Sequence, residues 1–373
     1  MVRVFFAARS ENHFPMALPR GTPPWLRPLL VALACGVAVS GCSLPYLADT
    51  AAHHLALLAR RRPVAEVVAD PATPAPLRDQ LQSVERVRAF ARDLGLKVDN
   101  SYATFVAVGR PYVTTNLSAC PPDRFEAYEW RFPIVGRVPY KGYFRLNWAK
   151  REERRLRAAG YETYLRGVPA YSTLGWLADP LFSTMVSDDP LELADTLFHE
   201  LTHATLFIKG QVPFDETLAT FVAERATLAF AVAEAGDGSP ALARLEEGYA
   251  EAHRFEALVH DLYEQLDDLY RAAPRDVAAR RETLYMAFRE RLHDPASGLT
   301  SPGYRAFADT PLNNARLLAY HRYHAGRDEL AALLERTGSI KGFLALLVGR
   351  AAELRAAPLE RIRTWLAAPP PAV

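Results

Sequence analysis

The chain has 373 residues, 50% of them hydrophobic and 23% charged, enough apolar material to bury a sizeable core, and one large domain or two modest ones are expected rather than disorder. Lysines and arginines number 44 against 43 acids, a formal charge of +1. That balance excludes the basic stripe with which a nucleic-acid binder neutralises phosphates, so partners must be sought in local sites.

In chain order, the first 42 residues stand apart from the rest. Arg20 and Arg27 precede the apolar stretch PLLVALACGVAV (28–39), too short to span a bilayer as a helix but matched to the hydrophobic region of a secretory leader. Met16 opens a better-proportioned leader than Met1 does, so either could be the start. The stretch ends in Val39-Ser40-Gly41-Cys42, which resembles the lipobox of bacterial lipoproteins; the resemblance implies cleavage before Cys42, lipid on its sulfur and acylation of the new amino terminus, an anchor of two or three chains that holds durably. An ordinary cleaved leader or a buried apolar helix is the plainer alternative. Removal of residues 1–41 leaves 40 basic and 42 acidic residues, a formal charge of −2, and Cys120 as the sole free thiol, so no intramolecular disulfide framework is possible. Ser43 lacks the aspartate that sorting rules for such lipoproteins associate with inner-membrane retention, and a periplasm-facing outer-membrane location follows.

Residues 42–75 are expected to form a membrane-proximal segment: an amphipathic helix in YLADTAAHHLALLARRR, then a Pro-rich turn. In 76–95, Leu77, Leu81, Val84, Val87 and Phe90 recur at spacings of three and four before Gly95, which predicts a helix. The period then falls toward two. TFVAV (104–108), YVTTN (112–116), YEWRF (128–132) and ETYLR (162–166) predict strands of a small mixed sheet, interrupted by a helix over 147–160. Beyond residue 180 the pattern is helical. A helix over 187–210 starts on Asp189 as N-cap with Pro190 first, and one over 215–236 starts on Asp215. A long one over 239–273 follows, then others over 275–292, 311–324, 327–336 and 339–367, with a frayed tail over 368–373. The fold class is α+β, mostly helical, with a long helical C-terminal half.

The 187–210 helix contains TLFHELTHATLF (196–207), in which polar letters interrupt an apolar run where an unpaired charge would be costly. His199 and His203 lie one turn apart on one face, so both imidazoles can bind one zinc ion. Glu200, beside the first ligand, is angled to reach a water on the metal rather than the metal itself. A catalytic zinc wants a third protein ligand and an open position. Glu216, twelve residues separating it from His203, sits in the first turn of the next helix and is the natural candidate. Glu224, further along that helix, could hold the second nitrogen of a ligating histidine. The alternative is that His199 and His203 are ordinary core or surface histidines. His253 with His260, His53 with His54, and His321 with His324 are not adopted as ligands.

WRFPIVGRVPYKGYF (130–144), AYSTLGWLADPLFST (170–184), HELTH (199–203), FDETLATFVAE (214–224) and LNNARL (312–317), together with the lipobox, resemble a family of bacterial lipoproteins described as predicted aminopeptidases. The resemblance runs over nearly the whole mature chain. It implies a zincin-like metallopeptidase core over 76–236, completed by the helical region 237–367, one zinc per chain held by His199, His203 and Glu216, Glu200 as catalytic base, and a peptide as substrate. Family members more often have Asn-Glu where this chain has Asp215-Glu216, so Asp215 is a neighbour able to alter ligand orientation. Tyr171, Tyr320 and Tyr323 are candidate donors to an oxyanion. YSTLG (171–175) is a candidate edge for substrate backbone, with a packing loop as its alternative. Asp179, Asp188, Asp215 and Glu224 remain open as anchors for a substrate amine. The rival reading is a lipoprotein of the same fold serving as a binding or envelope-assembly module without turnover.

Overall fold

The structure is a computed structural model that describes residues 44–132, 136–171, 173, 178–187, 189–321 and 326–368. Cys42, Asp188, Tyr323 and the end of the tail lie outside them. The chain divides into two compact units, Met1–Ala52 and His53–Val373. In the first, the described residues 44–52 are helical, part of α1 (Leu44–Leu58).

The second unit runs β1 (Arg62–Pro63), α2 (Val64–Ala69), α3 (Ala75–Asp93), β2 (Thr104–Val106), β3 (Thr114–Cys120), β4 (Trp130–Phe132), β5 (Gly136–Val138), β6 (Lys141–Tyr143), α4 (Leu146–Ala158), β7 (Glu162–Val168) and β8 (Leu181–Phe182). Helices follow: α5 (Pro190–Thr205), α6 (Val212–Ala235), α7 (Pro240–Ala272), α8 (Val277–His293), α9 (Pro302–Asp309), α10 (Asn314–His321), α11 (Arg327–Thr337), α12 (Ile340–Gly349) and α13 (Pro358–Ala367). The class is α+β and mostly helical, as the periodicity predicts. Instead of one mixed sheet, the described strands form three small sheets: β1–β2–β8, β6–β3–β7 and the hairpin β4–β5. Only β2–β8 is parallel; β3 is central in the second sheet, antiparallel to β7 from Thr114↔Val168 to Cys120↔Glu162. The predicted 339–367 helix is broken at Arg350, and a new one starts at Pro358, whose ring nitrogen has no hydrogen to continue the earlier ladder. Residues 67–69, at the start of the expected Pro-rich turn, are helical and close α2.

Two hydrophobic cores result. The first joins α3, α5, α6, β2 and β8 to α11, α12 and α13. The second gathers α7, α8, α9 and α10 around Phe255, Leu266, Tyr285, Phe307 and Leu317.

The helix α5 shows how sequence makes the frame of the site. Asp189 accepts the Leu191 N–H at 2.8 Å, with Pro190 first, which satisfies a donor that a helix start leaves orphaned. Leu193, Ala194, Leu197, Phe198 and Leu201 recur at helical spacing and are at most 0% exposed, one face sunk in the first core. The helix stops at Thr205, not Gly210, and Leu206 turns extended (φ −143°). The reason is tertiary: Leu206 and Ile208 leave the helix to enter the core, and the Ile208 N–H goes to Asp215 Oδ1 at 2.8 Å. For the same reason α6 starts at Val212, and Asp215 sits inside its first turn rather than capping it.

Candidate metal centre

The short link 206–211 places the first turn of α6 against the last turns of α5. His199 Nε2 and His203 Nε2 stand 3.1 Å apart, and Glu216 Oε2 lies 3.5 Å from the first and 3.6 Å from the second. Among the described residues this is the group of His, Cys, Asp and Glu side chains arranged to hold an ion, its ligand atoms all within 4.8 Å of one another. His203 and Glu216 are 9% and 11% exposed at the side chain and His199 is 22% exposed, so access is from the His199 side.

The electrostatics follow from burial against pairing. Burial would raise the Glu216 carboxyl, but hydrogen bonding and charge from His199 and His203 outweigh it and hold it well below the usual carboxylate range. Burial would lower His203, yet Glu216 and Glu200 prevail and its imidazole sits above its ordinary value. The Glu200 carboxyl is raised: burial dominates, His199 and His203 oppose it, and Glu216 and Asp179 reinforce it. Asp215, 1% exposed, is raised to about 8, because burial exceeds the help of the Ile208 N–H; its Oδ2 is buried without a hydrogen-bond partner.

The other sequence-derived candidates fall as follows. Glu224 does not reach His199 or His203 among the described residues; Arg327 donates to its Oε2, and His253 Nε2 lies 2.9 Å from that same oxygen. A different acid, Asp195, lies one turn before His199 on α5. It accepts from Tyr249 Oη at 2.6 Å and interacts electrostatically with His199. Tyr171 packs against Phe144 and Phe182 and shares a 2.6 Å hydrogen bond with His54 Nδ1. Tyr320 belongs to the second core, edge-on to Phe307 and Phe255. Asp179 is buried, its Oδ2 taking the Thr173 N–H at 2.9 Å. Tyr171 and Thr173, the described members of the YSTLG edge, are not in a strand.

Sequence reasoning missed Asp195, Tyr249, Arg327 and Tyr102. Tyr102 is 2% exposed in a left-handed backbone conformation (φ 62°), a costly one for a bulky residue, and its N–H donates to Asp179 O at 2.6 Å. Its phenol is pushed well above the ordinary range by burial, then by Glu200 and Asp179. A signal existed for Asp195, an acid one turn ahead of His199 in an apolar helix. None existed for Tyr102 or Arg327, whose neighbours are remote in sequence.

In comparisons with known proteins, the family model described as putative aminopeptidase matches residues 45–366. No curated protein and no solved structure matches the chain.

Proposed function

The chain belongs to the putative aminopeptidase family, and on that premise we propose that it is a zinc-dependent peptidase with a zincin-like core, carried on a lipid anchor at Cys42 in the cell envelope and facing the periplasm from the outer membrane. The observation that carries the metal reading is the convergence of His199, His203 and Glu216. A tetrahedral zinc with ligands at about 2.0–2.1 Å separates its ligand atoms by about 3.3 Å. The three separations here are 3.1, 3.5 and 3.6 Å, so the donor set fits that ion without rearrangement. Zinc held there would supply an acidified water and a polarised carbonyl.

The chain's own residues do the rest. His199, His203 and Glu216 bind and orient; Glu216 contributes the negative charge that offsets the cation. Glu200, beside His199 and half-buried, is the group to take a proton from the attacking water and pass it to the leaving amine, and its raised proton affinity suits both halves of that transfer. Since Glu224 is already paired with Arg327 and His253, it is a weaker anchor for a substrate amine than a free carboxylate would be.

The test uses the purified mature chain. Zinc content near one per chain, lost in His203→Ala, is expected, together with cleavage in a broad peptide library that prefers free over blocked amino termini and disappears in Glu200→Gln. A zinc-loaded wild type that cleaves nothing, with Glu200→Gln indistinguishable from it, would sink turnover in favour of a binding or envelope-assembly module. Cys42→Ala should release the protein from the membrane fraction; retention there would overturn the anchor.

A further inference from the structure

The helix α1 turns its two histidines to the protein and an apolar line to water. His53 stacks on Phe144 with ring centres 5.5 Å apart, His54 Nδ1 shares a 2.6 Å hydrogen bond with Tyr171 Oη, and Leu57 enters the first core. Every exposed residue from Pro45 to Ala59 is apolar, whereas Tyr46, Asp49, Thr50, His53 and His54 are all partly covered. Leu47, Ala51, Leu55 and Ala59 recur at intervals of four along one winding line, and Leu55 is 63% exposed. From Leu47 to Ala59 that line runs about 18 Å at the helical rise. An ordinary surface helix shows water its polar side, so a continuous apolar line there marks a surface that something covers. Arg60 and Arg61, both exposed, close it, while Arg62 is held by Asp70 at 3.1 Å.

We propose that this stripe lies on the lipid surface that receives the Cys42 anchor, with Arg60 and Arg61 at anionic headgroups. This rests on the anchor reading above. Three observations select lipid as the occupant. Cys42 precedes Leu44 by two residues, so acyl chains on its sulfur keep the start of α1 within about 7 Å of the lipid. The stripe is two leucines among alanines, shallow enough to enter the headgroup boundary and without the aromatic anchors that fill a protein pocket. The basic end matches the negative potential of an anionic leaflet. By itself such a contact is weak and reversible, so it adds to the acyl chains without replacing them, and Cys42→Ala still leaves the membrane fraction on washing. Its consequence is orientation: a helix held flat stops the chain from swivelling freely about Cys42.

The test takes the mature chain as Cys42→Ala, purified without lipid, and measures its co-sedimentation at low ionic strength with vesicles of phosphatidylcholine plus phosphatidylglycerol and of phosphatidylcholine alone. The lipid-free chain is expected to partition onto the anionic vesicles. Adding Leu47→Glu with Leu55→Glu should lower that partition by about tenfold or more. Arg61→Gln should lower it by about fivefold on anionic vesicles and leave phosphatidylcholine alone unchanged. Met286→Glu, which alters an apolar side chain 53% exposed on α8, should bind as the parent does. Melting temperatures without vesicles should stay near the parent's, because every changed side chain is exposed. Should the double variant not fold, Leu55→Ser carries the test with a loss of about fivefold. No partition onto anionic vesicles, or partition within twofold of the parent in the folded leucine variants, overturns this proposal. So does self-association without lipid that the same variants abolish, which would give the stripe to a second copy of the chain. In each of those cases lipid found on Cys42 of the native protein by mass spectrometry leaves the anchor reading standing. An unmodified Cys42 overturns the anchor and this proposal with it.

Discussion

The first core around α5 and α6 and the second around α7, α8 and α10 both bury polar side chains, and they dispose of them differently. In the second, Asn314 accepts from Tyr270 Oη at 2.8 Å and Tyr285 Oη at 3.1 Å and donates Nδ2 to Pro121 O at 3.0 Å. Its N–H goes to Glu162 Oε2 at 2.7 Å, and Glu162 Oε1 holds Arg281 at 3.0 Å. Arg316 gives hydrogen bonds to three carbonyls and stacks over Phe307 at 3.8 Å. Most donors there meet acceptors, with Arg281 Nε and Arg316 Nε buried without a partner, and the network ties the β3–β7 sheet to the helices. In the first core, two imidazole nitrogens and a carboxylate oxygen converge within 4.8 Å of one another, and His203 Nδ1 has no hydrogen-bond partner. A largely satisfied network of this kind serves the fold. An array of converging acceptors is costly by itself and fits a cation.

The contrast can be broken in four places. Glu200→Gln should cut turnover by about a thousandfold while zinc content and melting temperature stay near wild type, since one proton-transfer group is removed and no packing changes. Steady-state kinetics beside elemental analysis decide it; a loss of zinc instead would make Glu200 a ligand. In the second core, Asn314→Ala should cost about 2–4 kcal/mol of stability, because two buried phenols, a carbonyl and the residue's own fit are lost together. Denaturant unfolding measures that, and unchanged Zn2+ affinity in the same variant would show the two networks to be independent.

Asp215→Asn tests the boundary between the two kinds of network. The folded carboxyl titrates at about 8, far above the 3.8 of a free aspartate. Its folded-state proton binding therefore stabilises fully below about pH 4, and that contribution is lost as pH rises toward 8. The amide cannot ionise, so in the metal-free protein the variant should gain on wild type by about 2 kcal/mol at pH 5, rising to on the order of 5 kcal/mol near pH 8, and little near pH 4. Parallel melting curves across that range would refute the assignment of a buried neutral acid. The smallest effect belongs to Met286, 53% exposed on α8: Met286→Ala should change stability by less than about 0.5 kcal/mol in thermal melts, and a larger loss would mean that this face is covered.

The helix that carries His199 and His203 was legible because its cues are local. Asp189 caps it, Pro190 opens it, and the apolar spacing together with His199, Glu200 and His203 fixes which face is core and which is polar. Glu216 was reachable from the same reasoning, since a short link forces the next helix alongside. What failed was everything that needed a second element's position: the end of α5 at Thr205 and the pairing of Glu224 with His253 and Arg327 rather than with a ligand. The Tyr249 grip on Asp195, across 54 residues, failed in the same way.

By itself, then, the sequence determined a mostly helical α+β chain, an amphipathic helix carrying two histidines and an acid at fixed angles, and a second helix opening on Glu216. These follow from bond geometry within one or two turns. Only the tertiary structure decided that 3.1, 3.5 and 3.6 Å separate the converging atoms of His199, His203 and Glu216, that burial raises the Asp215 carboxyl, and that Glu224 pairs with Arg327 and His253. Those outcomes depend on how distant segments pack and how much water they exclude, and local spacing carries no record of either.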